Sequence, residues 1–182
     1  MIGNGSDVVS FLKKQHELVK TMFESVLQAH GALRAKGFAG LRRMLAVHET
    51  AEEEIVHPAA RRALANGEAV VEARLREENK AKTILSELEN LDVDSDAFEQ
   101  KFRMLQHDVI EHAEAEEREE FSLLATKLDP QRLERMRRAA EFAESIAPTR
   151  PHPGVESRAA NMLAGPFVAM IDRARDAISG KT

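Results

Sequence analysis

Hydrophobic residues recur at alternating steps of four and three along four long segments of the chain, which is the spacing of one face of an α-helix. Residues 41–59 show this most clearly. Their repeat is apolar at both ends, but His48 and Glu52 interrupt it one helical turn apart. Because burying an unpaired carboxylate is costly, such a pair needs a partner inside the core, and a metal ion is one candidate.

Capping and turn residues predict the limits of a first helical hairpin. Ser6 and Asp7 can cap a first helix that runs to about residue 30. Gly31 and Gly37 are expected to bracket the turn into the second helix.

A second hairpin follows in the same way. The second helix should fade near residues 66–67, and Pro58 inside it predicts a kink. A third helix is expected over about residues 68–91. Ser95 or Asp96 can then cap a fourth helix.

The polar pair of the second helix recurs in the fourth. His112 and Glu116 lie 64 residues after His48 and Glu52 and keep the same spacing, and His16 interrupts the apolar face of the first helix. Two hairpins with short connections form an up-down-up-down bundle whose interior is built from these faces. The predicted fold class is therefore all-α, a four-helix bundle with additional C-terminal helices.

The bundle is expected to occupy residues 1–128, and an additional helix residues 129–146. Residues 147–154 are rich in proline and predict a stiff, extended linker. Residues 155–182 form an amphipathic C-terminal segment, which we expect to dock on the bundle or on a partner subunit. In the second case the chain would be a homodimer.

Composition narrows the chemistry. The chain has no Cys, Trp or Tyr, so thiolate metal sites, iron–sulfur clusters and tyrosinate ligands are excluded. The net charge of -5 gives no support to nucleic-acid binding, which needs a basic face. No stretch approaches 18 apolar residues and no basic region precedes an apolar run, so we expect a soluble cytoplasmic protein with no membrane contact.

The interrupted faces supply three imidazoles and two carboxylates to one interior. Oxygen and nitrogen ligands without sulfur suit iron, manganese or zinc, and two bridging carboxylates favour a dinuclear centre. The 64-residue repeat also predicts a ligand near position 80, where Glu78 lies on the helix face but no histidine is present. The predicted metal ligands are His16, His48, Glu52, Glu78, His112 and Glu116.

The other histidines fit this centre less well. His30 lies about 21 Å from His16 along a helix, too far to share the site. His57 lies off the face in a regular helix, although a kink at Pro58 would bring it close enough to support a ligand. His107 and His152 are expected at the surface.

Among the remaining glutamates, Glu49 is the reserve carboxylate beside His48. Residues 114–120 contain a run of glutamates, which we interpret as a mostly solvated face apart from Glu116.

Together these motifs resemble the hemerythrin-like, or HHE cation-binding, family over residues 7–128. The residues that carry the resemblance are His16, His48-x-x-x-Glu52 with Glu53 and Pro58, Glu77-Glu78-Asn79, and His112-x-x-x-Glu116-Glu117 with Phe121.

The resemblance implies a four-helix bundle with a non-haem di-iron centre that binds or reacts with oxygen species. It implies that His16, His48, Glu52, His112 and Glu116 are iron ligands and that the two glutamates bridge. Where the family has a further histidine, this chain has Asn79. Three alternatives follow: one iron has fewer ligands, Glu78 or His57 substitutes, or only one metal binds tightly.

Two functions follow from the resemblance. In the first, the iron centre binds or consumes O2, hydrogen peroxide or nitric oxide, with peroxide-decomposing or oxidase-type activity, and the ligand reaches an open position near Asn79. Carboxylates in place of imidazoles should stabilise ferric iron, which favours reaction over reversible oxygen storage. The alternative is an iron or oxygen sensor whose metal occupancy controls docking of the C-terminal segment or of a partner, without turnover.

Overall fold

The computed structural model describes residues 7–146, and these residues form helices and turns without a strand. The proline-rich linker and the C-terminal amphipathic segment lie outside the described residues. The helices are α1 (Val8–Gln28), α2 (Gly31–Ala51), α3 (His57–Ala63), α4 (Gly67–Leu88), α5 (Asp96–Glu116), α6 (Ser122–Lys127) and α7 (Pro130–Ile146). Two π-helical turns, π1 (Glu52–Val56) and π2 (Glu117–Phe121), follow α2 and α5 directly.

The first hairpin joins α1 to α2 more tightly than the glycine pattern predicts. Asp7 caps α1 by accepting a hydrogen bond from the backbone N–H of Ser10 at 2.7 Å. The second helix already begins at Gly31, which has a φ of 55°, so the expected turn up to Gly37 is wrong. A Cβ on Gly37 would lie 3.1 Å from a methyl group of Val26, so this glycine lets α1 and α2 approach closely.

The second hairpin joins α4 to α5. Ser95 caps α5 by accepting a hydrogen bond from the backbone N–H of Phe98 at 3.2 Å, as predicted. At the start of α4, a Cβ on Gly67 would lie 2.3 Å from the carbonyl oxygen of Ala60. Only glycine therefore allows α4 to begin so close to the end of α3.

A wide turn lies where the sequence predicts a kink at Pro58. In π1 the backbone N–H of His57 bonds to the carbonyl of Glu52, five residues earlier, and the chain then continues as helix through Pro58 to Ala63. Proline is tolerated at the first positions of α3 because its missing N–H is not needed there. The second hairpin repeats this feature, since Ser122 in α6 bonds back to Glu117.

Two apolar cores lie on either side of a polar layer. The first, which we call the hairpin core, is formed by residues of α1, α2, α4 and α5 near the turns that connect them. It is centred on Phe23, Phe98 and Phe102. The second, which we call the α7 core, packs α7 against α1 and α2 and includes Leu12 and Met136. The buried histidines and glutamates lie between these cores. No helix in residues 7–146 combines the length and apolarity needed to cross a membrane.

Candidate metal centre

The structure brings all six predicted ligands together in the polar layer. Their ligand atoms form two clusters, each with all members within 4.8 Å of one another. Position A contains His16, His48, Glu52 and Glu116, and position B contains Glu52, Glu78, His112 and Glu116. Glu52 and Glu116 belong to both clusters, so the arrangement has the form of two adjacent cation positions with two shared carboxylates.

Position A has distances that suit one ion. The Nε2 atoms of His16 and His48 lie 3.1 Å apart. Glu52 Oε1 lies 3.3 Å from His48 Nε2, and Glu116 Oε2 lies 3.4 Å from His16 Nε2. Ligand atoms bonded about 2.1 Å from one ion are separated by roughly 3.0–3.4 Å. The four side chains therefore surround a volume of the size of a metal ion.

The outer nitrogen of each imidazole at position A fixes the tautomer. His16 Nδ1 donates to Glu117 Oε1 at 3.0 Å, and His48 Nδ1 donates to Gln15 Oε1 at 2.7 Å. Gln15 is itself oriented because its amide nitrogen donates to Glu144. Both Nε2 atoms in neutral imidazoles then carry lone pairs, which point at the same region, and a shared cation relieves their repulsion.

His112 provides the imidazole of position B. Its Nδ1 donates to Glu77 Oε2 at 2.9 Å, and Arg74 contacts the other oxygen of Glu77 at 3.1 Å. Its Nε2 is buried, lies 3.5 Å from Glu116 Oε2 and has no hydrogen-bond partner within residues 7–146. Burial lowers the pKa of His112, but Glu116 and Glu77 outweigh it and raise the pKa to about 9 in the absence of metal.

The two shared carboxylates test directly whether a metal fits. Both oxygens of Glu52 and both oxygens of Glu116 are buried and lack a hydrogen-bond partner among the described residues. Burial and the neighbouring Glu116 raise the pKa of Glu52 well above its usual value. Four orphaned carboxylate oxygens are too costly for an ordinary core, and cations beside them would satisfy all four. The residues present therefore fit a metal centre.

His57 lies at the centre's edge, a location that a regular helix would not give it. It is 1% exposed, and its Nε2 donates to Glu78 Oε1 at 2.9 Å while its Nδ1 donates to Glu120 Oε1 at 3.0 Å. Burial lowers the pKa of His57, but the two carboxylates raise it well above its usual value. The physical reason is π1, because an i→i+5 turn places His57 one turn beyond Glu52.

The interpretation of residues 114–120 as a solvated face is wrong at two glutamates. Glu120 is fully buried against His57, and Glu117 bonds to His16. The helical face itself contained the signal for Glu120, since a further step of four from Glu116 reaches it. The interaction of Glu117 with His16 has no such signal, because the two residues are brought together only by the packing of α1 on the second hairpin.

A buried lysine lies beside position B. Lys82 is 4% exposed, and its Nζ lies 2.7 Å from Glu53, 3.4 Å from Glu49 and 3.7 Å from Glu78. Glu49, the reserve carboxylate, is therefore paired with an ammonium group and lies outside both clusters of position A and position B. Burial raises the pKa of Glu49 to about 8, against the opposing effect of Lys82.

The remaining histidines lie away from the centre or outside the described residues. The side chain of His30, in the turn before α2, is 81% exposed, and that of His107 is 70% exposed, so both are at the surface as expected. His152 falls outside residues 7–146.

A small cavity adjoins both positions. Its volume is about 30 Å³, and the side chains of His16, His48 and His112 are among those that line it. Its apolar wall is formed by Val19, Leu45, Ala81, Val109 and Ala113. Helix α4 contributes Glu77, Glu78 and Ala81 to the lining, so the cavity reaches the centre past Glu78 and not past Asn79.

Comparison with known proteins agrees with the geometry. The family model described as the hemerythrin HHE cation binding domain matches residues 7–124, more than half of the chain. The chain therefore belongs to this family of cation-binding helical domains, as its histidine and glutamate pattern predicts.

One solved structure shows the same fold. It is the crystal structure of a hemerythrin HHE cation binding domain-containing protein from Mycobacterium kansasii, which is 19% identical and superimposes with a TM-score of 0.68. The match covers 76% of this chain and 85% of that chain. The predicted all-α hemerythrin-like bundle is confirmed. A search of curated proteins finds no significant match.

Proposed function

We propose that this chain holds a dinuclear non-haem iron centre and uses it to bind or react with a small oxygen species such as O2, hydrogen peroxide or nitric oxide. His16 and His48 would hold one iron, Glu78 and His112 the other, and Glu52 and Glu116 would bridge. The observation that carries the proposal is the pair of shared glutamates. Their four oxygens are buried between two sets of ligand atoms and have no hydrogen-bond partner in the part of the chain that the structure describes.

The donor set supports iron over softer metals. Three imidazole nitrogens and three carboxylates suit iron, and also manganese or zinc, whereas the chain offers no sulfur from cysteine. Iron in such a site can change oxidation state and take a small ligand at an open coordination position. Around it, the chain orients each imidazole through its outer nitrogen and excludes bulk water with the two apolar cores.

The cavity supports a ligand of very few atoms. A volume of about 30 Å³ is enough for a water-sized molecule, but not for an organic substrate. Its wall is mostly apolar, while the imidazoles of both positions reach it. A small molecule can therefore lie next to the centre without displacing any side chain.

Metal analysis of protein purified without oxygen, together with its near-ultraviolet and visible spectrum, tests the iron centre. We expect about two irons per chain and, after oxidation, charge-transfer bands that stand clear of the protein because Trp and Tyr are absent. Less than one bound metal per chain after reconstitution with iron would rule out the dinuclear centre.

Filling the cavity tests the small-ligand function separately. Ala81→Leu adds three carbons to the wall, and we expect peroxide consumption by the iron-loaded chain to fall at least tenfold with iron content unchanged. Ala35→Leu makes the same change at an exposed position of α2 and should leave peroxide consumption at the wild-type rate. Equal rates in both variants would reject this cavity as the ligand's location. An iron-loaded wild type that consumes no peroxide would instead favour the sensing alternative.

A further inference from the structure

The two π turns place equivalent residues against the opposite hairpin. His57 follows the shared Glu52 by five residues, and Phe121 follows the shared Glu116 by five residues. His57, from the first hairpin, contacts a ligand on α4, and Phe121, from the second hairpin, contacts a ligand on α1. The fold therefore makes the same cross-hairpin contact twice, once beside each metal position.

At position A this contact is apolar. The ring of Phe121 stacks on the ring of His16, with centroids 5.6 Å apart and an interplanar angle of 13°. Such stacking suits an imidazole whose outer nitrogen is already satisfied, as His16 is by Glu117. The aromatic ring holds the plane of the ligand without offering a hydrogen bond.

At position B the equivalent contact is polar. His57 replaces the phenyl ring and donates a hydrogen bond to Glu78 Oε1. Its other nitrogen is held by Glu120, which occupies the position equivalent to Val56 of the first hairpin. The supporting residue thus matches the ligand on each side: a phenyl ring stacks on an imidazole, and an imidazole donates to a carboxylate.

We propose that His57 and Glu120 are positioning residues that fix Glu78 as the ligand of position B, where a carboxylate takes the place of a histidine. The inference rests on the dinuclear centre proposed above. Glu78 is 1% exposed, and its Oε1 is held by His57. Its Oε2 lies 3.7 Å from Lys82 Nζ, beyond hydrogen-bond distance, and has no hydrogen-bond partner among the described residues, so Oε2 is the oxygen left for a cation. His57 thereby determines which oxygen of Glu78 can bind metal.

Direct ligation by His57 is the competing arrangement, and the contacts oppose it. Both nitrogens of His57 are engaged by carboxylates at 3.0 Å or less. Binding a metal through either nitrogen would break one of these bonds and leave Glu78 or Glu120 buried without its donor. That loss is costly for a buried carboxylate.

Anaerobic titration of the metal-free chain with ferrous iron tests the proposal through metal binding and not through turnover. We expect His57→Gln to keep the first iron with its wild-type affinity and to bind the second 10- to 100-fold more weakly, the loss typical of residues that orient a metal ligand. His107→Gln changes an exposed histidine and should bind both irons like the wild type.

A second, nearly isosteric variant covers the case in which His57→Gln does not fold. Glu120→Gln removes the charge that fixes the orientation of His57, and we expect the second iron to bind about tenfold more weakly. Wild-type affinity for the second iron in whichever of the two variants folds, or in both, would overturn the proposal.

A rescue variant separates positioning from ligation. Glu78→His combined with His57→Phe and Glu120→Val gives position B the residues of position A, and we expect two bound irons to return. If this triple variant folds and still binds one iron, His57 is needed as a ligand itself and the proposal is overturned.

The wild type separates this inference from the function on which it rests. A wild-type chain that binds fewer than two irons overturns the dinuclear centre together with this inference. A wild-type chain with two irons, combined with His57→Gln that also binds two at wild-type affinity, overturns the role of His57 alone.

Discussion

The two hairpins share a backbone design but surround the metal positions with different chemistry. Each places a His-x-x-x-Glu pair at the end of its second helix, where a π turn begins. The helix before that pair offers the imidazole of His16 in the first hairpin and the carboxylate of Glu78 in the second. Position A is therefore built on two imidazoles, whereas position B combines one imidazole with a carboxylate.

This difference in ligands is accompanied by a difference in the surrounding charges. Glu78 contacts two buried groups that carry positive charge, His57 and Lys82. These fixed charges lie close to position B and oppose a cation there, although they also hold its carboxylate in place. We therefore expect position A to fill first and position B to bind its metal more weakly.

The largest expected effect comes from removing a residue that both positions share. Glu116→Ala takes a carboxylate from each cluster, and we expect the chain to lose both irons. Glu114→Ala, an exposed glutamate two residues earlier on α5, is the matched control and should keep two. Iron analysis after desalting distinguishes them. Two irons retained by Glu116→Ala would show that this carboxylate does not bridge.

The next effect separates the two positions. His48→Ala removes a ligand of position A, which we expect to fill first, so less than one iron should remain. His112→Ala removes a ligand of position B, and about one iron should remain. The measurement is iron content after anaerobic reconstitution. Unchanged loading in both variants would reject the site itself, and equal losses would reject the ordering of the two positions.

A smaller effect concerns pH and the metal-free chain. His112 and Glu49 have pKa values of about 9 and about 8, both higher than in an unfolded chain. A raised folded-state pKa gives stability that is present at low pH and is lost as the pH rises through the folded value. The unfolding temperature of the metal-free chain should therefore fall between pH 7 and pH 9, and His112 contributes about 2 kcal/mol of this loss.

The same measurement on the iron-loaded chain provides the comparison. Metal ligation replaces the proton on His112. The unfolding temperature of the iron-loaded chain should therefore change less between pH 7 and pH 9 than that of the metal-free chain. His48 should contribute little in either form, because burial and the neighbouring His16 lower its pKa to about 3 and keep its imidazole neutral over this range. An unfolding temperature of the metal-free chain that rises from pH 7 to pH 9 would contradict this assignment of charge.

The smallest effect is expected at the outer end of the position A network. Lys13 bonds to Glu117 at 3.0 Å, but its side chain is 45% exposed. Exposed ion pairs contribute only about 0.2–1 kcal/mol to the interaction between their partners. Lys13→Ala should therefore lower the affinity for the first iron by less than about fivefold. Calorimetric titration can measure this change. A loss of both irons would mean that Glu117 depends on Lys13 far more than the exposure of the pair implies.

Local sequence signals were sufficient for the helices and for six of the residues that face the polar layer. Apolar residues at steps of four and three mark the buried face of each helix, so a histidine or glutamate on that face must point inward. This rule found His16, His48, Glu52, Glu78, His112 and Glu116 without knowledge of how the helices pack. A different signal, glycine as a mark of a turn, failed at Gly37, because this glycine allows α1 and α2 to pack closely inside a helix.

What the sequence determined by itself is the all-helical bundle, its family and the histidines and glutamates that interrupt regular helical faces. Only the tertiary structure decided the roles of His57 and Glu117 and the contact of Glu120 with His57. A regular helix turns roughly 100° per residue, so one residue added in a π turn moves everything after it to a different face. Their partners, Glu78 and His16, lie on other helices, and no spacing within one helix can reveal a contact that packing alone creates.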